Sequence, residues 1–165
     1  MSQHRQRNGS IGVKIQSIFE THLTVADRRA SVEFYKRALG FTLAHESDER
    51  DYSFLWMGDR GERMLGLWGP KCSDPPISRG MGHFAMGVSF DDLRGIVERM
   101  KTAGVTPLDF DARPASDLVV LAWMPAAAIY FQDPDGHSLE YISMLPEDAR
   151  PELGVLNYKD WEKKR

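Results

Sequence analysis

The chain carries one pattern twice, and that repetition limits the possible folds more tightly than any overall property of the sequence. In the first half an apolar stretch, Thr21-His22-Leu23-Thr24-Val25, runs into a helical segment that ends at Ala38-Leu39-Gly40-Phe41. In the second half Gly82-His83-Phe84-Ala85-Met86-Gly87-Val88 runs into another, ending at Thr102-Ala103-Gly104-Val105. His22 to Gly40 spans 18 residues and His83 to Gly104 spans 21, a difference of about one helical turn. The second helix presents Leu93, Ile96, Val97 and Met100 at amphipathic spacing, and the first presents Val32, Tyr35, Ala38 and Leu39. Asp27 and either Asp91 or Asp92 are the expected N-caps, and Gly40 and Gly104 the left-handed stops.

Three short strands are predicted after each helix: 41–46, 52–57 and 63–68 in the first unit, and 118–122, 127–132 and 138–144 in the second. Gly58-Asp59-Arg60-Gly61 and Asp133-Pro134-Asp135-Gly136 separate them as turns. A Pro- and Gly-rich stretch, Gly69 to Pro76, cannot continue a strand and joins the units. The expected organisation is an extension over 1–17, a paired βαβββ domain over 18–145 (module one 18–69, linker 70–80, module two 81–145) and a polar tail over 146–165. Trp161 in that tail predicts docking rather than disorder.

Side-chain alternation locates a candidate site. Leu23 and Val25 share one face of the first strand, with Glu20, His22 and Thr24 on the other. Phe84, Met86 and Val88 oppose Met81, His83, Ala85 and Gly87, and Leu139 and Tyr141 oppose Ser138 and Glu140. Each possible ligand therefore falls opposite the helix-packing face, as in a concave sheet lined by two imidazoles and a carboxylate. Such a set leaves coordination positions open and suits divalent Fe, Mn, Ni, Co or Zn. Taken singly, each residue has an ordinary reading: a strand histidine is usually a half-buried hydrogen-bonding group, and a last-strand glutamate usually sits at a solvated edge.

Balanced charge (21 basic, 24 acidic, net −3) lacks the footprint of a nucleic-acid binder. The apolar run through Val119 to Met124 is far too short to span a membrane. A single cysteine, Cys72, excludes an internal disulfide. No apolar segment follows the charges of the first seven residues, so a cytoplasmic location is expected.

At the same residues the chain resembles the vicinal oxygen chelate superfamily, which groups glyoxalase I, fosfomycin-resistance proteins, bleomycin-resistance proteins and extradiol dioxygenases. The matching pieces are His22-Leu23-Thr24-Val25 with Ser31 to Tyr35 and Leu39-Gly40-Phe41, then Gly82-His83-Phe84, and finally Ile129 to Glu140 with its Asp-Pro-Asp-Gly turn. The resemblance covers about residues 18–145. It implies an α+β fold in which two βαβββ modules form a cup-shaped, partly open mixed barrel, with His22, His83 and Glu140 as ligands of a divalent metal ion. Thr24 and Tyr130 match positions that contact substrate in the fosfomycin proteins, so catalytic roles are expected for both. A homodimer is also implied.

Departures from the family narrow the chemistry. The slot of the fourth glyoxalase I ligand falls on Gly66, which offers neither ligand nor base. No lysine lies between Lys101 and Lys159, and Arg113 and Arg150 are the only arginines there, against the basic cluster that holds a phosphonate in the fosfomycin proteins. Extradiol dioxygenases need a further histidine. His4, His45 and His137 are the remaining ones, and His137 beside its turn is expected to be solvated. Trp56, Trp68, Trp123, Met124 and Tyr130 are candidate cup-lining residues, and they favour a flat or apolar substrate bearing adjacent oxygens. The expected activity is that of a metal-dependent glyoxalase- or dioxygenase-type enzyme. The alternatives are a metal-free sequestration protein of the bleomycin-resistance type and a fosfomycin-modifying enzyme.

Overall fold

A computed structural model describes residues 17–164. The extension expected over 1–17, including His4 and the reading of the N-terminal charges, lies outside the described residues apart from Ser17. The first module runs β1 (Glu20–Thr24), α1 (Arg28–Leu39), β2 (Thr42–Ser47), β3 (Tyr52–Trp56) and β4 (Met64–Trp68). The second runs β5 (His83–Gly87), α2 (Phe90–Leu93), α3 (Ile96–Thr102), β6 (Val119–Leu121), β7 (Ala126–Gln132) and β8 (Ser138–Met144). After a 3₁₀ turn at Pro151–Leu153 come β9 (Val155–Asn157) and α4 (Tyr158–Glu162).

Strand order is β1-β4-β3-β2 in one sheet and β5-β8-β7-β6-β9 in the other. In both, the module's first strand lies parallel to its last, β1 on β4 and β5 on β8, while the remaining pairs are antiparallel. The sequence repeat is thus a repeat of topology, and the fold is α+β with two mixed βαβββ sheets that stay open, a partly open cup.

Local chemistry explains the elements. Asp27 caps α1 by accepting from the backbone N–H of Arg29 and Ala30, and Gly40 ends it at φ +72°. The second helical segment differs from expectation in two ways. Gly95 adopts φ +67°, outside the helical region, and divides one predicted helix into α2 and α3. The cap is Ser89, whose hydroxyl accepts from the Asp92 N–H, rather than Asp91 or Asp92. The C-terminal tail docks more fully than its polarity suggests. Trp161 is completely buried, and β9 pairs with β6 as a fifth strand.

One contiguous core joins the modules: Leu23, Val25, Tyr35, Leu65 and Leu67 from the first meet Met100, Phe131 and Leu139 from the second. The Asp133–Gly136 turn clasps the two together. Tyr35 donates to Asp133 Oδ2 at 2.8 Å, and burial beside that carboxylate holds the phenol's pKa well above its usual value, so the proton stays. Asp135 accepts from the Ala26 N–H at 2.7 Å and from the Ser31 hydroxyl at 3.1 Å.

His137 is 2% exposed, not solvated as expected. Its Nδ1 accepts from the Gly82 N–H at 2.8 Å, so the neutral ring carries its proton on Nε2 and donates to the Thr24 carbonyl at 2.8 Å. It is a buried bridge between the end of β1 and the start of β5. A second buried group escaped the sequence reading: Arg28, the first residue of α1, bonds Asp48, Asp51 (3.0 Å), Glu46 (3.1 Å) and the Ser53 hydroxyl (2.6 Å).

Candidate metal and substrate site

The register puts the predicted residues on the faces that parity assigned. Across the second sheet, His83 lies opposite Ser138, and Ala85, Glu140 and Tyr130 form the next row, so His83, Glu140 and Tyr130 share one face. His83 Nε2 is 3.4 Å from Glu140 Oε2. The His83 ring is oriented from behind: its Nδ1 lies 3.1 Å from the Ser138 carbonyl and 3.2 Å from the Ser138 hydroxyl. His83 Nε2 thus faces a carboxylate oxygen of Glu140. That pairing calls for a proton or a cation between them, and a carbonyl behind Nδ1 is the support a metal-ligating imidazole receives.

Glu140 itself is 5% exposed, and its Oε1 is buried without a hydrogen-bond partner. Burial pushes its pKa above the usual carboxylate range, partly offset by the Tyr130 hydroxyl and by His83. A buried carboxylate with one orphaned oxygen, facing an imidazole nitrogen, fits a divalent cation. Burial, together with the charge of Glu140, also raises the Tyr130 pKa, so that phenol keeps its proton near neutrality and acts as a donor rather than a base.

His22 stands on the other sheet, in the row His22, Gly66, Phe54, His45. Trp68 Nε1–H donates to its Nδ1 at 2.9 Å, and its Nε2 lies 3.4 Å from Glu20 Oε1. The Phe54 ring meets the imidazole edge-on, at 88° and 5.9 Å between centroids. Gly66, directly across from His22, makes this seat possible. A Cβ there would overlap Nδ1 and come within 2.9 Å of Cε1 and 3.0 Å of Phe54 Cε1. Thr24 lies in the next row with Trp68 and Tyr52; it is buried, and its carbonyl holds His137.

Within one chain, then, His83 and Glu140 come together and His22 does not join them. Among the described residues no group of three or more His, Cys, Asp or Glu is placed to hold a metal. Leu23, on the opposite face of β1 from His22, packs into the core shared with the second module. His83 remains half exposed. The predicted ligands lie on two sheets, His22 on the first and His83 with Glu140 on the second.

Aromatic side chains border both. On the second sheet Phe110 and Trp123 are exposed, with centroids 6.4 Å apart, and Phe110 reaches Tyr130 at 6.1 Å. Met124 follows Trp123 in the β6–β7 turn and is partly buried. On the first sheet Tyr52, Phe54 and Trp68 form an edge-to-face cluster, with Trp56 further along the same face of β3. Phe110 was missed by the sequence reading. Its only signal is an aromatic residue between two aspartates in a polar loop, where burial gives no reason for it.

No helix among the described residues is long and apolar enough to cross a membrane. Residues 15–141 match the family model described as the Glyoxalase/Bleomycin resistance protein/Dioxygenase superfamily. The chain is 30% identical over 132 residues to a glutathione transferase FosA of Serratia marcescens, covering 76% of this chain and 79% of that protein. It is 27% identical over 135 residues to a probable lactoylglutathione lyase of Vibrio cholerae, covering 76% and 88%. Among solved structures, an integron cassette protein from the mobile metagenome of a Halifax Harbour sewage outfall superposes with a TM-score of 0.63 at 26% identity, over 79% of this chain and all of the other. A Nocardioides member of the family gives 0.58 at 25%, over 84% and 90%. With the doubled βαβββ topology and a match across most of its length, the chain belongs to the Glyoxalase/Bleomycin resistance protein/Dioxygenase superfamily.

Proposed function

We propose that this protein is a metal-dependent enzyme acting on a small substrate whose adjacent oxygens chelate a divalent cation. His83 and Glu140 of one copy hold that cation together with His22 of a second copy. The observation that carries this reading is His83 Nε2 held 3.4 Å from a buried Glu140 carboxylate whose other oxygen has no hydrogen-bond partner. A homodimer is part of the same reading: the site is complete when the first-module face of one copy meets the second-module face of another.

A bound divalent cation would supply Lewis-acid polarisation of the substrate oxygens. The chain's own residues do the rest. Tyr130, neutral beside Glu140, donates a hydrogen bond to developing negative charge on a substrate oxygen. Thr24, in the row next to His22, contacts the substrate from the first-module side. Phe110, Trp123 and Tyr130 bound a flat apolar portion and exclude water.

Metal binding tests the reading. Chelator-treated protein is reloaded with Mn²⁺, Fe²⁺, Co²⁺, Ni²⁺ or Zn²⁺, and binding is measured for wild type, His83→Ala and Glu140→Gln. Loss of binding in both variants supports the site. Equal, substoichiometric binding in all three rejects it.

A metal-free sequestering role is the second reading, favoured by the aromatic borders of both faces. Tight binding of a flat ligand unaffected by EDTA would select it. Modification of fosfomycin, suggested by the similarity to a FosA glutathione transferase, requires that expression protect a susceptible cell, and absence of protection removes it.

A further inference from the structure

We propose that Trp68 is a positioning residue that holds His22 in the tautomer unable to ligate a metal, so that coordination through His22 is coupled to release of the Trp68 indole. This rests on the metal-dependent reading above. An indole N–H can only donate. Its 2.9 Å contact with His22 Nδ1 therefore places a lone pair on Nδ1 and the neutral ring's proton on Nε2, the nitrogen 3.4 Å from Glu20 Oε1. Nε2 then carries a proton, and Nδ1 is occupied by the indole. Neither nitrogen of His22 is available as a ligand.

His83 shows the opposite arrangement. Its Nδ1 rests on the Ser138 carbonyl and hydroxyl, and its Nε2 faces Glu140 with no indole against either nitrogen. The two imidazoles that parity pairs as ligands are thus preset differently, one ready and one latched. The latch is built rather than incidental. Gly66 leaves the space in which the ring lies against β4. Phe54 closes on its edge, and Tyr52 backs the indole at 5.4 Å. Trp68 is itself buried. For Nε2 to coordinate, the proton moves to Nδ1, where it would collide with the indole N–H, so the indole has to turn away. One net hydrogen bond is lost in doing so, which weakens metal binding by roughly 2- to 10-fold.

The test uses full-length ¹⁵N-labelled protein titrated with Zn²⁺. Before addition, the imidazole nitrogens of His22 are expected to show the proton on Nε2. With Zn²⁺ the proton moves to Nδ1 and the Trp68 indole N–H resonance shifts in step. Trp68→Phe, with folding checked by its far-UV spectrum and melting, is expected to bind Zn²⁺ roughly 2- to 10-fold more tightly than wild type. A His22 that already carries its proton on Nδ1 in the metal-free protein overturns the proposal. So does an unmoved Trp68 indole signal once Zn²⁺ is bound, or a folded Trp68→Phe that binds Zn²⁺ no better than wild type. Zn²⁺ binding that is abolished by His22→Ala and Glu140→Gln but leaves Trp68 unmoved rejects the latch alone. No Zn²⁺ binding by wild type rejects the metal reading and the latch together.

Discussion

Gly66→Ala should destabilise this protein, although replacing a glycine inside a strand by alanine ordinarily stabilises by roughly 0.5–1 kcal/mol through the unfolded chain. The reason is the seat of His22. The new methyl would overlap the imidazole Nδ1 and press on Phe54 Cε1 at 3.0 Å, so the ring must leave its place. The loss includes the Trp68–His22 hydrogen bond, about 0.5–1.5 kcal/mol. Overpacking against Phe54 and Trp68 adds about 1–3 kcal/mol. Set against the backbone gain, the net is about 1–3 kcal/mol, or a fall in Tm of roughly 2–10 °C for a chain of this length. Thermal melts of metal-free wild type and variant, with the Trp68 indole resonance followed in parallel, measure both parts. An unchanged or raised Tm with an unmoved indole signal would refute the packing argument and the role assigned to Gly66.

Three further outcomes follow from the same geometry. His137→Ala strips the Gly82 N–H and the Thr24 carbonyl of their buried partner, and should cost about 2–4 kcal/mol by denaturant unfolding; a cost within about 0.5 kcal/mol would show that water serves both groups. Tyr35→Phe leaves Asp133 Oδ2 without its donor and should cost about 1–3 kcal/mol, with no change in the far-UV spectrum. Glu140→Gln tests electrostatics in chelator-treated protein. Because the folded pKa of Glu140 is raised, wild type keeps the neutral form's stability below the unfolded carboxylate value and loses it as pH rises through the folded one. The variant should therefore gain on wild type as pH increases, and a gap that is flat or shrinks with pH would contradict the burial assigned to Glu140.

What the sequence revealed was what depends on short-range periodicity. Alternation along β1, β5 and β8 assigned His22, His83 and Glu140 to the faces they occupy, because a strand's side-chain period is local. The Asp-Pro-Asp-Gly turn was readable for the same reason, and Gly136 does adopt positive φ. Whether three residues on two sheets meet is not a local property. It depends on the core shared by Leu23, Tyr35, Phe131 and Leu139, which joins the modules through their helix-packing sides. His137 shows the converse error. A polar residue beside a turn reads as solvated, yet here both ring nitrogens find backbone partners, Gly82 in the same module and Thr24 across the module boundary, so burial costs little. Arg28 was invisible because its carboxylate partners, Glu46, Asp48 and Asp51, lie around a hairpin some 20 residues away. Gly95 read as one more helix residue, and the break between α2 and α3 shows in the backbone, where Arg94 is extended and Gly95 adopts positive φ.

The central claim is that the metal site is assembled from half-sites of two copies, and complementation tests it most directly. Chains carrying His22→Ala and chains carrying Glu140→Gln are each expected to fail to hold a divalent ion at micromolar concentration. Co-expressed and purified as a heterodimer through two different tags, they should recover a single ion per dimer, because one face then pairs an intact His22 with an intact His83 and Glu140. A heterodimer as devoid of metal as its parents, or a His22→Ala protein that binds as wild type does, would contradict the account.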